Sequence, residues 1–450
     1  MTDLAHYEQH VKQILTASLV GRVVRTEGTT VAVAGFPAPV GAVAAVERYH
    51  GVPLTAEVIG FRQDHTILYP LGDIAGVRLG DRVRLVRTCR RIPVSDGLLG
   101  RVVSASGDPL DGLPRPEAQQ YVPLYRAAPV ATQRPRIHQV LVTGVRAIDG
   151  LLTCGCGQRL GIFSGPGVGK SVLLGMMTRF CQADAIVIGL IGERGREVNE
   201  FLERDLGPEG RRRSVVVVAT SDEPALRRIQ AAFTATAIAE FFRDQGRNVL
   251  LIMDSLTRFA LAQREIGLAA GEPPATRGYP PSVFTWLPRL VERAGRSQKG
   301  SITAFYSVLV EGDDPTEPVS DAVRGLLDGH ILLSRKLANR GHFPAIDVLE
   351  SISRLMPDLV SREQLAAAQQ IRQWLAALRD YEDLIAVGAY RAGTNPLVDA
   401  AQKNKEAVDV FLRQNLTEKA DWNQTLTRLL QLAQLNAAGA QPKLASSAKE

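Results

Sequence analysis

Between residues 158 and 345 the chain repeats one pattern: short, continuous apolar runs (LGIFS, AIVIGLIG, SVVVVAT, NVLLIMD, SITAFYSVLV, GHILLS) separated by stretches with helical spacing. Runs of Val, Ile and Leu without polar alternation are strands buried on both faces, and strand–helix alternation makes their sheet mostly parallel. This dictates an α/β fold whose ligands sit at the strands' carboxyl ends.

The first of these runs leads into the motif that carries the chemistry. In LGIFSGPGVGKSVLLGMM, residues 160–177, an apolar strand feeds a turn containing Gly165, Gly167 and Gly169, and Lys170 and Ser171 open a helix. Glycines let backbone N–H groups curl around a triphosphate while the helix N-terminus adds partial positive charge. The residues expected around the nucleotide are Gly165, Pro166, Gly167, Val168, Gly169, Lys170, Ser171 and Val172, with Lys170 on the β/γ-phosphates and Ser171 on Mg²⁺. Ser164 occupies the position that the strict pattern reserves for glycine.

Three further residues are expected around that loop. Residues 249–253 form a buried strand ending in Asp254, placed to hold Mg²⁺ against the phosphates. AIVIGLIG ends at Glu193, expected beside the phosphate-loop strand and best placed to deprotonate water. Arg354, in LESISRLM just beyond the sheet, is a candidate for the additional positive charge that the transition state requires, delivered to a neighbouring subunit.

Around this core, residues 1–18 carry Leu4, Tyr7, Val11 and Leu15 at helical spacing, a segment for partner binding. Residues 19–90 show short β-branched runs broken by Gly, Asp and Pro, the texture of a small antiparallel β-barrel. Residues 91–360 hold the phosphate-loop domain, opening with Pro- and Gly-rich lead-in loops up to about Arg159. Residues 361–436 are helical, and residues 437–450 have the composition of a disordered tail.

At 450 residues and 45% hydrophobic content, two or three domains are expected. Fifty-three Lys and Arg against 47 Asp and Glu give a net charge of +6, compatible with nucleic acid, an anionic membrane surface or an acidic partner and diagnostic of none. No apolar run approaches the roughly 18 to 20 residues that span a bilayer, and MTDLAHYEQHVKQ has no secretory apolar region, so the expected location is the cytoplasm. Four cysteines fit a reducing compartment; Cys154 and Cys156 lack a second Cys/His pair at zinc spacing.

With these residues assembled, the chain from about 19 to 436 resembles the ATPases of type III export, flagellar or virulence-associated, relatives of the catalytic β subunits of rotary ATP synthases. The resemblance rests on SGPGVGKS, GERGREV, MDSLTRFALAQREIGLAAGEPPATRGYPPSVF, LVEGDDPTEPVSD and LDGHILLSRKLANRGHFPAIDVLESISR. A small residue commonly replaces the first loop glycine in this family, so Ser164 supports the match. The resemblance implies a RecA-like P-loop ATPase core with an N-terminal β-barrel and a C-terminal helical domain. By matching position, it makes Lys170, Glu193 and Arg354 catalytic, Ser171 and Asp254 the Mg²⁺ ligands, and Phe343 in GHFPAID, with Tyr390 as a second, the aromatics on adenine. It further implies a homohexamer with sites between subunits, a coiled-coil stalk protein in the ring and a stator-like regulator on the N-terminal segment. Export-gate membrane proteins and chaperone–substrate complexes complete the expected partners; the enzyme is expected at the cytoplasmic face of the inner-membrane export apparatus.

Where ATP-synthase β subunits carry an acidic helix–turn, this chain has LIAVGAYRAGTNPLVDA, which favours export over proton-driven synthesis. The barrel lacks the aromatic and basic pattern of an RNA-translocating hexamer, and no nucleic acid is expected. The intact Glu193 and Lys170 speak against a purely structural nucleotide-binding subunit. The flagellar system is favoured over the virulence system on sequence texture alone.

Overall fold

The computed structural model describes residues 19–310 and 317–433. The expected N-terminal helix, the C-terminal tail and residues 311–316 of LVEGDDPTEPVSD lie outside the described residues. Six strands close a barrel in the order β1-β2-β5-β4-β3-β6: β1 (Val20–Glu27), β2 (Thr30–Ala34), β3 (Val43–Val46), β4 (Leu54–Arg62), β5 (His65–Pro70) and β6 (Arg82–Arg87). Val23, Val31, Val33, Val46, Val58, Leu68 and Val83 fill its interior.

The stretch expected to be lead-in loops is more ordered than its composition suggests. β7 (Arg91–Val94) pairs with a later strand, β8 (Val102–Ser104) joins the main sheet at its edge, and β9 (Gln120–Pro123) is the partner of β7. β10 (Val140–Leu141) pairs with β11 (Cys154–Gly155). Such two- to four-residue strands carry no readable periodicity; pairing with strands distant in sequence creates them. The thiols of Cys154 and Cys156 are buried against the carbonyl oxygens of Leu152 and Val140.

The main sheet contains β12 (Arg159–Ser164), β13 (Ala185–Glu193), β14 (Ser214–Thr220), β15 (Asn248–Asp254), β17 (Ser301–Leu309), β18 (Gly329–Leu333) and β19 (Ile346–Ser353), with the short β16 (Gly295–Arg296) paired to β17. Its order is β19-β18-β12-β17-β15-β13-β14-β8. It is parallel except for β19 and β16. Alternate residues of one strand serve different cores. Leu251 and Met253 of β15 face one apolar cluster, while Leu250 and Ile252 face the other. The first cluster takes in α2 (Ala225–Asp244), α3 (Leu256–Ala270) and α4 (Pro281–Val291). The second takes in the phosphate-loop helix α1 (Lys170–Phe180) and the C-terminal helices α5 (Arg362–Asp380), α6 (Pro396–Leu412) and α7 (Trp422–Leu432).

The C-terminal helices follow from local signals. Ser361, Asn395 and Asp421 cap α5, α6 and α7, each accepting a hydrogen bond from a first-turn N–H. Ala367, Ala368, Ile371, Trp374 and Ala377 then form the buried stripe of α5. Among the described residues, no helix is long and apolar enough to cross a membrane.

Candidate active site

The turn after β12 is held open for a ligand. Gly167 (φ +75°) and Gly169 (φ +91°) adopt the left-handed conformation, and a Cβ on Gly167 would meet nothing within 4 Å. Gly169 is the residue preceding α1, so Lys170 and Ser171 are its first two residues, and N–H groups of a first helical turn have no partner within the helix. Gly165, Pro166 and Val168 complete the turn, and Val172 follows in the first helical turn.

Lys170 reaches back across the sheet. Its Nζ donates to Asp254 Oδ1 at 2.5 Å and lies 3.4 Å from Ser307 Oγ, which itself donates to Asp254 Oδ1 at 2.5 Å. Ser307 was not singled out by sequence reasoning; its place in β17, between the strands of Lys170 and Asp254, becomes visible once the strand order is known.

Glu193 is not beside the phosphate-loop strand. β17 and β15 stand between β12 and β13, so that expectation is corrected. Glu193 nevertheless reaches the site, because β13 runs nine residues and its pairing with β14 slips at Gly192 (φ +70°), carrying the carboxylate past the sheet's end. It is 7% exposed, and its pKa rises to about 7, first through burial and then through the charge of Asp254, with Lys170 and Arg258 opposing. Arg258, in the first turn of α3, approaches Glu193 with Nε at 3.3 Å from Oε1 and Nη2 at 3.4 Å from Oε2. Arg258 was also missed, although MDSLTRFA places it four residues after Asp254.

Phe343 is 39% exposed beside the loop, its ring 3.4 Å from where a Cβ on Gly169 would lie. It faces a cleft of about 450 Å³ that includes Val172, Gln414, Asn415 and Leu416. Gln414 fixes this far wall. Its N–H donates to the Phe343 carbonyl at 3.0 Å, its Nε2 donates to the Gly144 carbonyl at 2.8 Å, and its Oε1 accepts from the Arg146 N–H at 2.8 Å. No spacing near residue 343 could have announced a wall supplied some seventy residues later.

Tyr390 is not brought to this cleft. Its hydroxyl donates to Asp399 Oδ1 at 2.8 Å and its ring packs edge-on against Tyr381, so it staples the turn before α6. A larger cavity, about 930 Å³ and lined by Trp374, Leu378 and Arg379 among others, contains none of the phosphate-loop residues; size alone does not locate the chemistry.

Arg354 lies at the other end of the sheet. Ser353 pairs with Gly329 at the amino end of β18, whereas Leu333, at its carboxyl end, pairs with Ser164. Four residues of extended strand, about 13 Å, separate the two levels. The exposed Arg354 therefore stands at the opposite end of the sheet from its own phosphate loop.

The nucleotide-binding domain of the ATP synthase alpha/beta family matches residues 144–353, and the C-terminal domain of the type III secretion ATPase EscN matches residues 360–431. A flagellum-specific ATP synthase of Salmonella typhimurium is 48% identical over 441 residues, spanning 95% of this chain and 97% of that protein. The chain belongs to the flagellar and type III secretion ATPase family. The type 3 secretion system ATPase of Pseudomonas syringae pv. syringae is also 48% identical, over 95% of this chain and 96% of its own. The structure of assembled EscN from enteropathogenic E. coli superposes with a TM-score of 0.88 at 45% identity, covering 92% of this chain and all of that one. EscN has also been solved with its central stalk EscO, with a TM-score of 0.86. As a member of this ATPase family the chain is an ATP-hydrolysing enzyme, built as barrel, nucleotide-binding core and C-terminal helices.

Proposed function

We propose that the chain hydrolyses Mg²⁺-ATP at sites shared between adjacent subunits of a homohexamer and thereby drives protein export. The observation that carries this reading is the split of its polar machinery: Lys170, Asp254 and Glu193 gather at one end of the sheet and Arg354 stands at the other.

Ser171 and Asp254 offer hard oxygen donors, and the Asp254 carboxylate already attracts a cation, the Lys170 ammonium, so the donor set fits Mg²⁺. Held by Ser171 and Asp254, the metal would supply positive charge against the phosphates. The phosphates draw the Lys170 ammonium, and the open turn offers its N–H groups. Glu193, titrating near neutrality, orients a water and accepts its proton. Arg258 holds the Glu193 carboxylate, and Phe343 takes the adenine on its face. Arg354 of the neighbouring subunit supplies the remaining positive charge.

In this reading the ring surrounds a coiled-coil stalk, as the complex of EscN with its central stalk EscO suggests, and a stator-like regulator binds residues 1–18. The enzyme works in the cytoplasm against an inner-membrane export gate, releasing and unfolding chaperone-bound substrates. We favour the flagellar system, for which relatives reach 51% identity. The close fit to assembled EscN supports the injectisome as the alternative. ATPase assays with Glu193→Ala test the enzyme: nucleotide binding should persist while turnover disappears, and retained hydrolysis would contradict the reading. Deleting the gene separates the systems, since the flagellar reading requires loss of filaments with effector secretion intact.

A further inference from the structure

The segment that presents Arg354 is held by the strand that carries the chain's own phosphate loop. The Arg354 N–H donates to the Asp328 carbonyl at 3.1 Å, and Gln158 Nε2 donates to the same oxygen at 3.2 Å. Gln158 Nε2 also lies 3.0 Å from Ser353 Oγ, which donates in turn to the Thr153 carbonyl at 2.8 Å. The Asp328 carboxylate accepts from the first residue of β12: Arg159 N donates to Oδ2 at 3.0 Å, Nε to Oδ2 at 3.2 Å and Nη2 to Oδ1 at 3.3 Å. Gln158 is fully buried. The intervening Gly329 lets the strands close, since a Cβ there would lie 2.3 Å from the Ile352 carbonyl oxygen. These contacts tie the start of β12 to the backbone of Arg354.

We propose that Asp328, clamped by Gln158 and Arg159, is a positioning residue for the arginine finger, and that β12 thereby ties each subunit's own phosphate loop to the finger it lends its neighbour. The proposal rests on the intersubunit role of Arg354 given above. A buried strand transmits displacement with little loss, so a shift of the loop on binding or releasing nucleotide moves the finger's anchor at the far end.

The test uses the full-length ring and ADP–fluoroaluminate, a transition-state mimic whose trapping depends on the finger's charge. Asp328→Asn keeps the carbonyl and the size but removes the charged clamp. Trapping should fall roughly tenfold, the scale of a small misplacement, with ADP binding unchanged. Mixed one to one with Lys170→Ala chains, whose fingers are intact, Asp328→Asn sites should recover trapping in about half of the population, the share that random assembly places beside an intact finger. Loss of ADP binding, or no recovery on mixing, would overturn the proposal, because the lesion would then lie in the variant's own loop. Arg354→Ala run in parallel separates the two levels: if it recovers on mixing and Asp328→Asn does not, the clamp alone is refuted, whereas failure of both refutes the finger as well. Should Asp328→Asn not assemble, Ser353→Ala, which removes a single acceptor of Gln158, should lower trapping about two- to threefold with the same recovery.

Discussion

At the carboxyl end of β12, Lys170, Asp254 and Ser307 form one hydrogen-bonded cluster, and the buried Glu193 lies within reach of its charges and of Arg258. At the amino end Arg354 is exposed, anchored through its backbone while its guanidinium faces outward. In the proposed reading the first end supplies the phosphate cradle, the base and the metal ligands, with Lys170 to meet the phosphates while Arg258 is engaged with Glu193, and the second end supplies a further charge. The difference teaches that the sheet holds the two groups of side chains at opposite ends, the separation that a site shared between adjacent chains requires.

The largest effects should come from the complete half. Glu193→Ala should lower kcat by about 10³-fold or more, with ATP binding largely retained, as equilibrium binding and single-turnover assays would report. Arg354→Ala should lower kcat by about 10²- to 10³-fold in the assembled ring and leave the residual activity of monomers unaltered; equal losses in both would break the comparison. Phe343→Ala should raise KM for ATP by about tenfold at most, with kcat little changed, since an aromatic stack contributes roughly 1 kcal/mol. Glu193 must be ionised to accept a proton and its pKa is raised to about 7, so kcat/KM should fall as pH drops below that value; a profile flat down to pH 5 would remove Glu193 as the base. The smallest effect belongs to Tyr390→Phe, which should leave KM for ATP unchanged because its hydroxyl serves the turn at Asp399.

Much of the first half was legible in the sequence. Glycine spacing, the Lys170–Ser171 pair and a buried strand ending in Asp254 are local signals, and local geometry produces them. The barrel and the C-terminal helices were likewise readable from β-branched runs and caps. Strand order was not. It put β17 and β15 between β12 and β13, contradicted the expected adjacency of Glu193 and brought Ser307 into the site. Nothing within a strand states which strand it pairs with, so positions set by crossover topology escaped. The wall at Gln414 and Asn415 escaped for the same reason, and Tyr390 lies outside the cleft, since an aromatic near a nucleotide and one stapling a turn look alike in sequence. Position just beyond the sheet made Arg354 a candidate and the resemblance to a family gave it its expected role; the fold adds that it stands at the far end of the sheet from its own loop.

In a ring of this kind one chain's finger would complete another chain's site. Arg354→Ala and Lys170→Ala chains, each unable to trap ADP–fluoroaluminate in pure rings, should be mixed in equal amounts and the trapped nucleotide counted. Trapping restored at about half of the Arg354→Ala subunits is the result predicted from random assembly around a ring; no trapping at any ratio, with assembly verified, would contradict a site shared between subunits.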